Sequence, residues 1–102
     1  PSRKVVQTLG LTYDMDDSKV ERAIQILTDI HAENIETTDD KVITFTAFGD
    51  FSLNILFIYY IKKESDIMET QSEMNLQILK RFAAEGLDFA FPSQTIYTKK
   101  ID

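Results

Sequence analysis

The stretch VITFTAFGDFSLNILFIYYIKK, from Val42 to Lys63, decides the fold. It contains two runs rich in Val, Ile, Thr, Phe and Tyr, the residues that favour β-strands, and the pair Gly49 and Asp50 separates them. Glycine and aspartate are common where a chain reverses, because glycine accepts a positive φ and the aspartate side chain bonds to nearby backbone. The stretch therefore predicts a β-hairpin with its turn at Gly49 and Asp50.

The second strand of this hairpin divides into two faces by alternation. One face is expected to lie under helices, and its residues are Leu53, Ile55, Phe57, Tyr59 and Ile61. The other face contains Asn54 followed by three apolar residues, Leu56, Ile58 and Tyr60. An apolar patch on the open face of a sheet usually marks a contact, so this face predicts a contact surface.

Composition describes one compact domain. The chain has 102 residues, 43% of them hydrophobic, and only 3 Gly and 2 Pro. It contains no cysteine, which excludes disulfides, thiolate metal sites and a cysteine nucleophile and fits a reducing compartment. The longest apolar run, Ile55 to Ile61, is far shorter than the roughly 20 residues that span a bilayer. The start at Pro1, without a methionine or a leader, predicts a piece of a longer protein.

Charge is unevenly distributed along the chain. The net charge is −6, and the segment from Asp14 to Asp40 alone has nine carboxylates against Lys19 and Arg22, which gives −7. An acidic surface repels a phosphate backbone. Nucleic acid is therefore not expected as a partner.

The segments on either side of the hairpin predict two more strands and two helices. Lys4 to Tyr13 alternates as a first strand, and Ser18 with Glu21 fits an S-x-x-E capping box at the start of a first helix. The polar stretch from Glu33 to Lys41 is predicted as a loop. The apolar stripe of the first helix is expected to be Val20, Ala23, Ile24, Leu27 and Ile30.

A second helix is expected to begin at Ser65, Asp66 and Glu69. Its predicted apolar side consists of Met68, Met74, Ile78, Leu79, Phe82 and Ala83. Gly86 is predicted to end this helix in a Schellman motif, with Leu87 folding back on Phe82. A last strand with Phe89, Phe91, Ile96 and Tyr97 is interrupted by Pro92, which has no amide hydrogen and belongs at an edge or a corner.

The predicted order is therefore β-α-β-β-α-β. This is the ferredoxin-like α+β fold, with a four-stranded, mainly antiparallel sheet and two helices on one face. We treat residues 1–102 as one α/β domain.

Residues that could carry chemistry have simpler structural explanations. Asp14, Asp16 and Asp17 suggest a calcium loop, but the sixth and twelfth positions of such a loop require glycine and glutamate and here hold Lys19 and Gln25. Helix capping explains the three aspartates, so no metal site and no cofactor are predicted.

Enzymatic and nucleic-acid roles are not expected either. His31 is the only histidine, and without a nucleophile or second ligand it makes no catalytic or metal site. The acidic loop after Tyr13 lacks the phosphate-binding arginine of acylphosphatases, which share the fold. The strand-three aromatics Phe57, Tyr59 and Tyr60 lack the basic and glycine positions of RNA-recognition modules.

Three stretches carry a family resemblance: TLGLTY at Thr8 to Tyr13, FGDFSLNI at Phe48 to Ile55, and GLDFAFPSQT at Gly86 to Thr95. Together and in this order they resemble the C-terminal cytoplasmic domain of small-conductance mechanosensitive channels of the MscS type. The resemblance covers essentially the whole chain. It departs at Ala90, where the family often has the first proline of F-P-x-P.

The resemblance implies a subunit of a homo-heptameric channel on the cytoplasmic side of a bacterial inner membrane. Membrane tension opens such channels, which then release ions and small osmolytes during hypo-osmotic stress. The domain would form the wall of a cytoplasmic cage with side portals. Transmembrane helices and a β domain would precede Pro1, and Thr98 to Asp102 would lead into a barrel on the symmetry axis.

Two surfaces take on expected roles under this resemblance. Leu56, Ile58 and Tyr60 are predicted to lie near a contact between subunits or domains, and a portal-facing acidic surface is predicted at Asp29, Glu33 and Glu36. The alternative is a soluble ligand-binding or regulatory module with the same fold, which would dimerise through its sheet and bind a metabolite.

Overall fold

Three antiparallel strands form the sheet: β1 (Lys4–Leu11), β2 (Thr37–Phe48) and β3 (Leu53–Ile61). They are seen in a computed structural model in which residues 3–90 are described. The order is β1-β3-β2, so β3 lies in the centre and pairs with both neighbours. The helices are α1 (Asp17–Glu33) and α2 (Ile67–Ala84). The predicted hairpin is confirmed, and residues 49–52 form its loop.

Gly49 is required in this loop because neighbouring atoms leave no room for a Cβ, not because its φ is positive. Its amide donates to the carbonyl of Ser52 at 2.7 Å. A Cβ at Gly49 would lie 2.9 Å from Nδ2 of Asn54 and 3.1 Å from the Ser52 oxygen. Among the described glycines only Gly86 has a positive φ. The predicted position of the turn is therefore confirmed, whereas the expectation of a positive φ at Gly49 is wrong.

The strand β2 begins five residues earlier than the sequence indicates. The predicted loop from Glu33 to Lys41 is wrong, because α1 continues to Glu33 and β2 already starts at Thr37. Pairing with β3 shifts register between Thr37 and Lys41. The intervening residues are polar and mostly exposed at the sheet edge, so their composition resembles that of a loop.

The start of α1 is capped by Asp16, not by Ser18. Oδ1 of Asp16 accepts from the amide of Lys19 at 3.0 Å, and Ser18 lies inside the first turn, where its Oγ is 3.3 Å from Oδ1 of Asp16. The predicted capping box of Ser18 and Glu21 is therefore wrong. Aspartate and serine are nearly equal as N-caps, and the aspartate lies two residues earlier, where the helix begins.

The core lies between the helices and one face of the sheet. The predicted inner face of β3 is confirmed, because all five of its side chains are at most 5% exposed. On α1 the buried stripe differs from the predicted one in two respects, since Ile26 is buried where Ile24 is only partly buried, and His31 is buried as well. The buried residues of α1 are Val20, Ala23, Ile26, Leu27, Ile30 and His31.

The helix α2 buries a narrower stripe than predicted. Its N-cap is Asp66, whose Oδ1 accepts from the amide of Glu69 at 2.9 Å, as expected. Its buried residues recur every four positions: Thr70, Met74, Ile78 and Phe82. Met68 and Leu79 are 79% and 59% exposed, and Ala83 is exposed as well. The prediction that these three residues lie in the core is therefore wrong, because they fall outside that stripe.

The end of α2 is the predicted Schellman motif. Gly86 has φ +72°, its amide donates to the carbonyl of Ala83, and the amide of Leu87 donates to the carbonyl of Phe82 at 2.9 Å. Leu87 is buried beside Phe82. The ring of Phe89 then stacks on that of Phe82 with centroids 5.2 Å apart, which fastens the segment after α2 to the core.

A fourth strand is not seen as such in residues 3–90. Phe89 forms an isolated antiparallel bridge with Leu11, and the amide of Ala90 donates to the carbonyl of Gly10 at 2.9 Å. The remainder of the predicted strand, including Phe91, Pro92, Ile96 and Tyr97, lies outside the described residues. The described architecture is therefore α+β with a three-stranded antiparallel sheet.

Candidate functional site

The open face of the sheet carries a row of apolar side chains across all three strands. Ile58 of β3 lies between Val6 of β1 and Val42 of β2, which are its partners in register. Val6 is 56% and Val42 is 41% exposed, whereas Ile58 is partly buried, as are Leu56 and Tyr60. The structure thus brings the three predicted contact residues together on one face. It adds Val6 and Val42, which can be identified once the register of β1 and β2 with β3 is known.

The predicted acidic residues do not form one uniform patch. Asp29 accepts from Nε2 of Gln25 at 2.9 Å, and Glu33 pairs with the guanidinium of Arg81 on α2. Glu36 accepts from the hydroxyl of Ser65. Each of these carboxylates therefore already has a polar partner within the domain.

Two ion pairs join the helices on the outer surface. Arg22 contacts Glu85 at 3.0 Å, and Arg81 contacts Glu33. In each pair the hydrogen bond to the guanidinium is the largest cause that lowers the pKa of the glutamate below its usual range. Both pairs are substantially exposed to solvent, so each contributes little to the stability of the fold. The Arg81–Glu33 pair offsets one negative charge of α1, whereas the Arg22–Glu85 pair neutralises one of its positive charges.

A second acidic region lies where β3 ends and α2 begins. It is an open pocket of about 570 Å³ between the α1–β2 connection and the first turns of α2. Five carboxylates line it, and four of them lie outside the segment in which the sequence concentrates its negative charge: Glu36, Glu64, Asp66, Glu69 and Glu73. Only the fold brings Glu36 to the others, which is why sequence reasoning missed this region.

A mainly apolar groove of about 480 Å³ lies at the hairpin end of the domain. It runs between the first turns of α1 and the last residues of β2, where Phe45 and Phe48 pack edge to face with centroids 5.2 Å apart. Carboxylates of Asp16, Asp17 and Glu21 stand at its rim. Sequence reasoning assigned no role to these two phenylalanines.

Two buried titratable groups lie in the interior. His31 is buried at the end of α1, and burial lowers its pKa below the usual 6.5. Tyr59 is fully buried, and burial raises the pKa of its hydroxyl to about 12. No set of three metal-ligating side chains occurs in residues 3–90. Within that same range, neither helix is long and apolar enough to cross a membrane.

Comparison with known proteins agrees with the resemblance in the sequence. Residues 5–89 match the family model described as mechanosensitive ion channel MscS, C-terminal. The chain is 37% identical to the large-conductance mechanosensitive channel MscMJLR of Methanocaldococcus jannaschii and 30% identical to the low conductance mechanosensitive channel YnaI of Escherichia coli. These alignments cover 97% and 98% of this chain but only 29% and 30% of the relatives.

The fold agrees with a solved member of the same class. The crystal structure of Helicobacter pylori MscS in its closed state superposes with a TM-score of 0.77 at 22% identity. The superposition covers 98% of this chain and 40% of that one. Fold and sequence together define the C-terminal domain of a mechanosensitive ion channel. The chain belongs to the MscS family.

Proposed function

We propose that the chain is the cytoplasmic C-terminal domain of a mechanosensitive channel subunit. The intact channel opens under membrane tension during hypo-osmotic stress and releases ions and small osmolytes, and this domain helps to build the vestibule wall. The observation that carries the proposal is the family match over residues 5–89, together with channel relatives aligned over nearly the whole chain. The relatives are named as channels and not as enzymes. We therefore propose no enzymatic role for the chain.

The proposed setting is a homo-heptamer on the cytoplasmic side of a bacterial inner membrane. The chain spans less than a third of the relatives' length, which supports a longer polypeptide with transmembrane helices and a β domain before Pro1. Association with other subunits is supported by the apolar row on the open face of the sheet, which a monomer would leave in water.

Survival of hypo-osmotic shock tests this function. The full-length gene is expressed in a bacterial strain without mechanosensitive channels, beside a version that stops before Pro1. We expect the full-length gene to restore survival and tension-gated currents in membrane patches, and the truncated version to do neither. An open reading frame that begins near Pro1 and yields a soluble metabolite-binding dimer would support the alternative regulatory module instead.

The open face is proposed as an assembly contact through Leu56, Ile58 and Tyr60. Ile58→Glu places a charge in the middle of the apolar row, so it should leave the isolated domain folded and reduce the mass of the channel assembly in detergent. Leu76→Glu is a matched control, because Leu76 is a 58% exposed apolar residue on α2. Unchanged assembly with Ile58→Glu would contradict the contact.

An acidic, portal-facing surface is proposed at Asp29, Glu33 and Glu36. Carboxylates at an entrance raise the local concentration of cations, so neutralising all three should shift the reversal potential of the channel at low salt. The control neutralises three carboxylates near the start of α1 instead, with Asp14→Asn, Asp17→Asn and Glu21→Gln. Equal shifts from both sets would show that total charge, not position, is responsible.

The segment after Phe89 is proposed to continue along β1 as the fourth strand of a ferredoxin-like sheet. The support is the bridge of Phe89 with Leu11 and the two flanking backbone bonds, from Ala90 to Gly10 and from Thr12 to Asp88. In this pairing the backbone amides and carbonyls of the even-numbered residues of β1 face the added strand, away from β3. A proline at 92 leaves the carbonyl of Thr8 without its regular donor, so the ladder is expected to be irregular there.

Amide hydrogen exchange tests this fourth strand. The outward amides of Val6 and Thr8 should be protected in the full chain and should exchange quickly after truncation at Ala90. The amides of Val5 and Gln7, which face β3 in the same strand, should remain protected in both. Rapid exchange of Val6 and Thr8 in the full chain would contradict the strand.

A further inference from the structure

We propose that the groove between α1 and β2 binds an extended segment of a second, different polypeptide. This segment carries bulky apolar side chains at alternate positions and lysine or arginine beside them. The proposal concerns a surface of the isolated domain, and it stands independently of the channel function. Three observations support it: the shape and lining of the groove, the free edge of β2, and the charge of the rim.

The walls of the groove are apolar on both sides. Val20 and Ile24 of α1 face Phe45 and Phe48 of β2, with Leu53 between them. Phe48 is 76% exposed although it lies on the helix face of the sheet, opposite the buried Leu53. About 480 Å³ is enough for two or three aliphatic side chains. The groove therefore offers a place for apolar side chains that point from a strand toward α1.

The outer edge of β2 offers the backbone partners that such a strand needs. Within residues 3–90 this strand pairs only with β3. Natural edge strands are usually protected by charged side chains or proline. The first part of β2 has Asp39, Asp40 and Lys41, whereas Val42 to Phe48 contains neither a charge nor a proline. This unprotected half borders the groove, so an added strand can form main-chain bonds and insert alternate side chains, as in β-augmentation.

The rim of the groove specifies the charge of its occupant. Asp16, Asp17 and Glu21 line it. Of the two nearest cations on α1, Arg22 pairs with Glu85, and Lys19 forms no ion pair with a rim carboxylate within residues 3–90. The rim carboxylates are thus left without a cationic partner from α1. A segment with lysine or arginine next to its apolar residues matches this arrangement.

Among the described strands of a second copy only β2 has a free edge. The charges beside its apolar half, Asp39, Asp40 and Lys41, are net negative, so it does not supply the cationic segment that the rim favours. β3 is the central strand of its own sheet. The outer edge of β1 bonds Asp88 and Ala90 through Thr12 and Gly10. Ala90 lies at the β1 edge, which is the opposite edge of the sheet from β2. These positions favour a separate polypeptide as the occupant.

A synthetic peptide tests the proposal on the 102-residue chain. The probe is a fluorescein-labelled peptide of alternating valine and threonine with two lysines at each end, and its control has glutamates in place of the lysines. We expect the lysine peptide to raise fluorescence anisotropy with a saturable curve and the glutamate peptide to bind at least tenfold more weakly. Amide shifts in NMR spectra should concentrate in Val42 to Phe48 and the first turns of α1.

Variants of the groove separate this site from general attraction to an acidic protein. Phe48→Ala should weaken binding about tenfold, and the pair Asp17→Lys with Glu21→Lys should weaken it further. The matched control reverses two carboxylates on α2 with Glu69→Lys and Glu73→Lys and should change the affinity less than twofold.

Three results would overturn the proposal. The first is the absence of saturable binding at millimolar peptide. The second is equal loss of binding in the rim and α2 variants. The third is concentration-dependent self-association of the chain that Phe48→Ala abolishes, because the occupant would then be a second copy.

Discussion

Phe57 of β3 and Phe48 of β2 are the same residue type on the same face of the same sheet, yet their exposure differs completely. Phe57 is 0% exposed, because both helices cover the middle of the sheet, whereas Phe48 is 76% exposed. The helix α1 begins at Asp17, beside the groove, and leaves the end of β2 open. Alternation along a strand therefore identifies a face, and only the packing of the helices decides which part of that face is core.

The largest expected effect is on the covered strand. Phe57→Ala removes a fully buried ring and leaves a cavity, which costs about 3–5 kcal/mol of unfolding free energy. Urea denaturation followed by circular dichroism measures the change. The loss is a large part of the total stability of about 5–15 kcal/mol that such domains have, so it is readily measured. A loss below about 1 kcal/mol would mean that the middle of the sheet is not covered as described.

A smaller effect is expected at His31, which tests how α1 covers the start of β2. Burial is the largest cause that lowers the pKa of His31, and the charge of Lys41 adds to it, while a backbone hydrogen bond with Thr38 and the charge of Asp39 act in the opposite direction. The folded state therefore favours the neutral ring. Its contribution to stability is complete above the usual pKa of 6.5 and is lost as the pH falls below that value, because the unfolded chain then binds the proton more readily.

The measurement is the unfolding free energy at pH 7.5 and at pH 5.5. The wild-type chain should lose more stability between these values than a His31→Gln variant, since all other titrating groups are shared. An equal loss in both proteins would show that His31 titrates normally and that the junction of α1 with β2 is open to water.

The smallest expected effect is at the uncovered end of β2. Phe48→Ala is the same substitution as Phe57→Ala, but on an exposed side chain it should change the unfolding free energy by less than about 0.5 kcal/mol. The same urea titration measures it. A loss above about 2 kcal/mol would indicate that the groove is closed in solution, and the contrast between the two strands would disappear.

Much of this fold can be predicted from local patterns. The inner face of β3, the cap at Asp66 and the Schellman motif at Gly86 each depend on a few adjacent residues, and each is confirmed. The family resemblance is also confirmed, because residues 5–89 match the family model.

The remaining differences come from tertiary packing, which local patterns do not contain. Met68 and Leu79 are apolar at helical spacing, but they lie beside the buried stripe of α2 and stay in solvent. The start of β2 is polar because it is an edge, so it resembles a loop. The acidic pocket and the apolar groove each combine residues from separate elements, and no single stretch of sequence contains either surface.

The positions of Lys4 and Gly10 on β1 also have a mechanical meaning. Strand β1 begins at Lys4, and the last described residue, Ala90, is bonded to Gly10, about 20 Å away along the strand. Tension between these two points acts parallel to β1. Both points lie on β1, and hydrogen bonds of an antiparallel pair lie across the strands, so such tension shears the contacts that hold residues 88–90 to β1, not the β1–β3 ladder. Those contacts are one bridge and two backbone bonds, so the segment after α2 is expected to separate from β1 under load before the eight paired positions of β1 and β3 do.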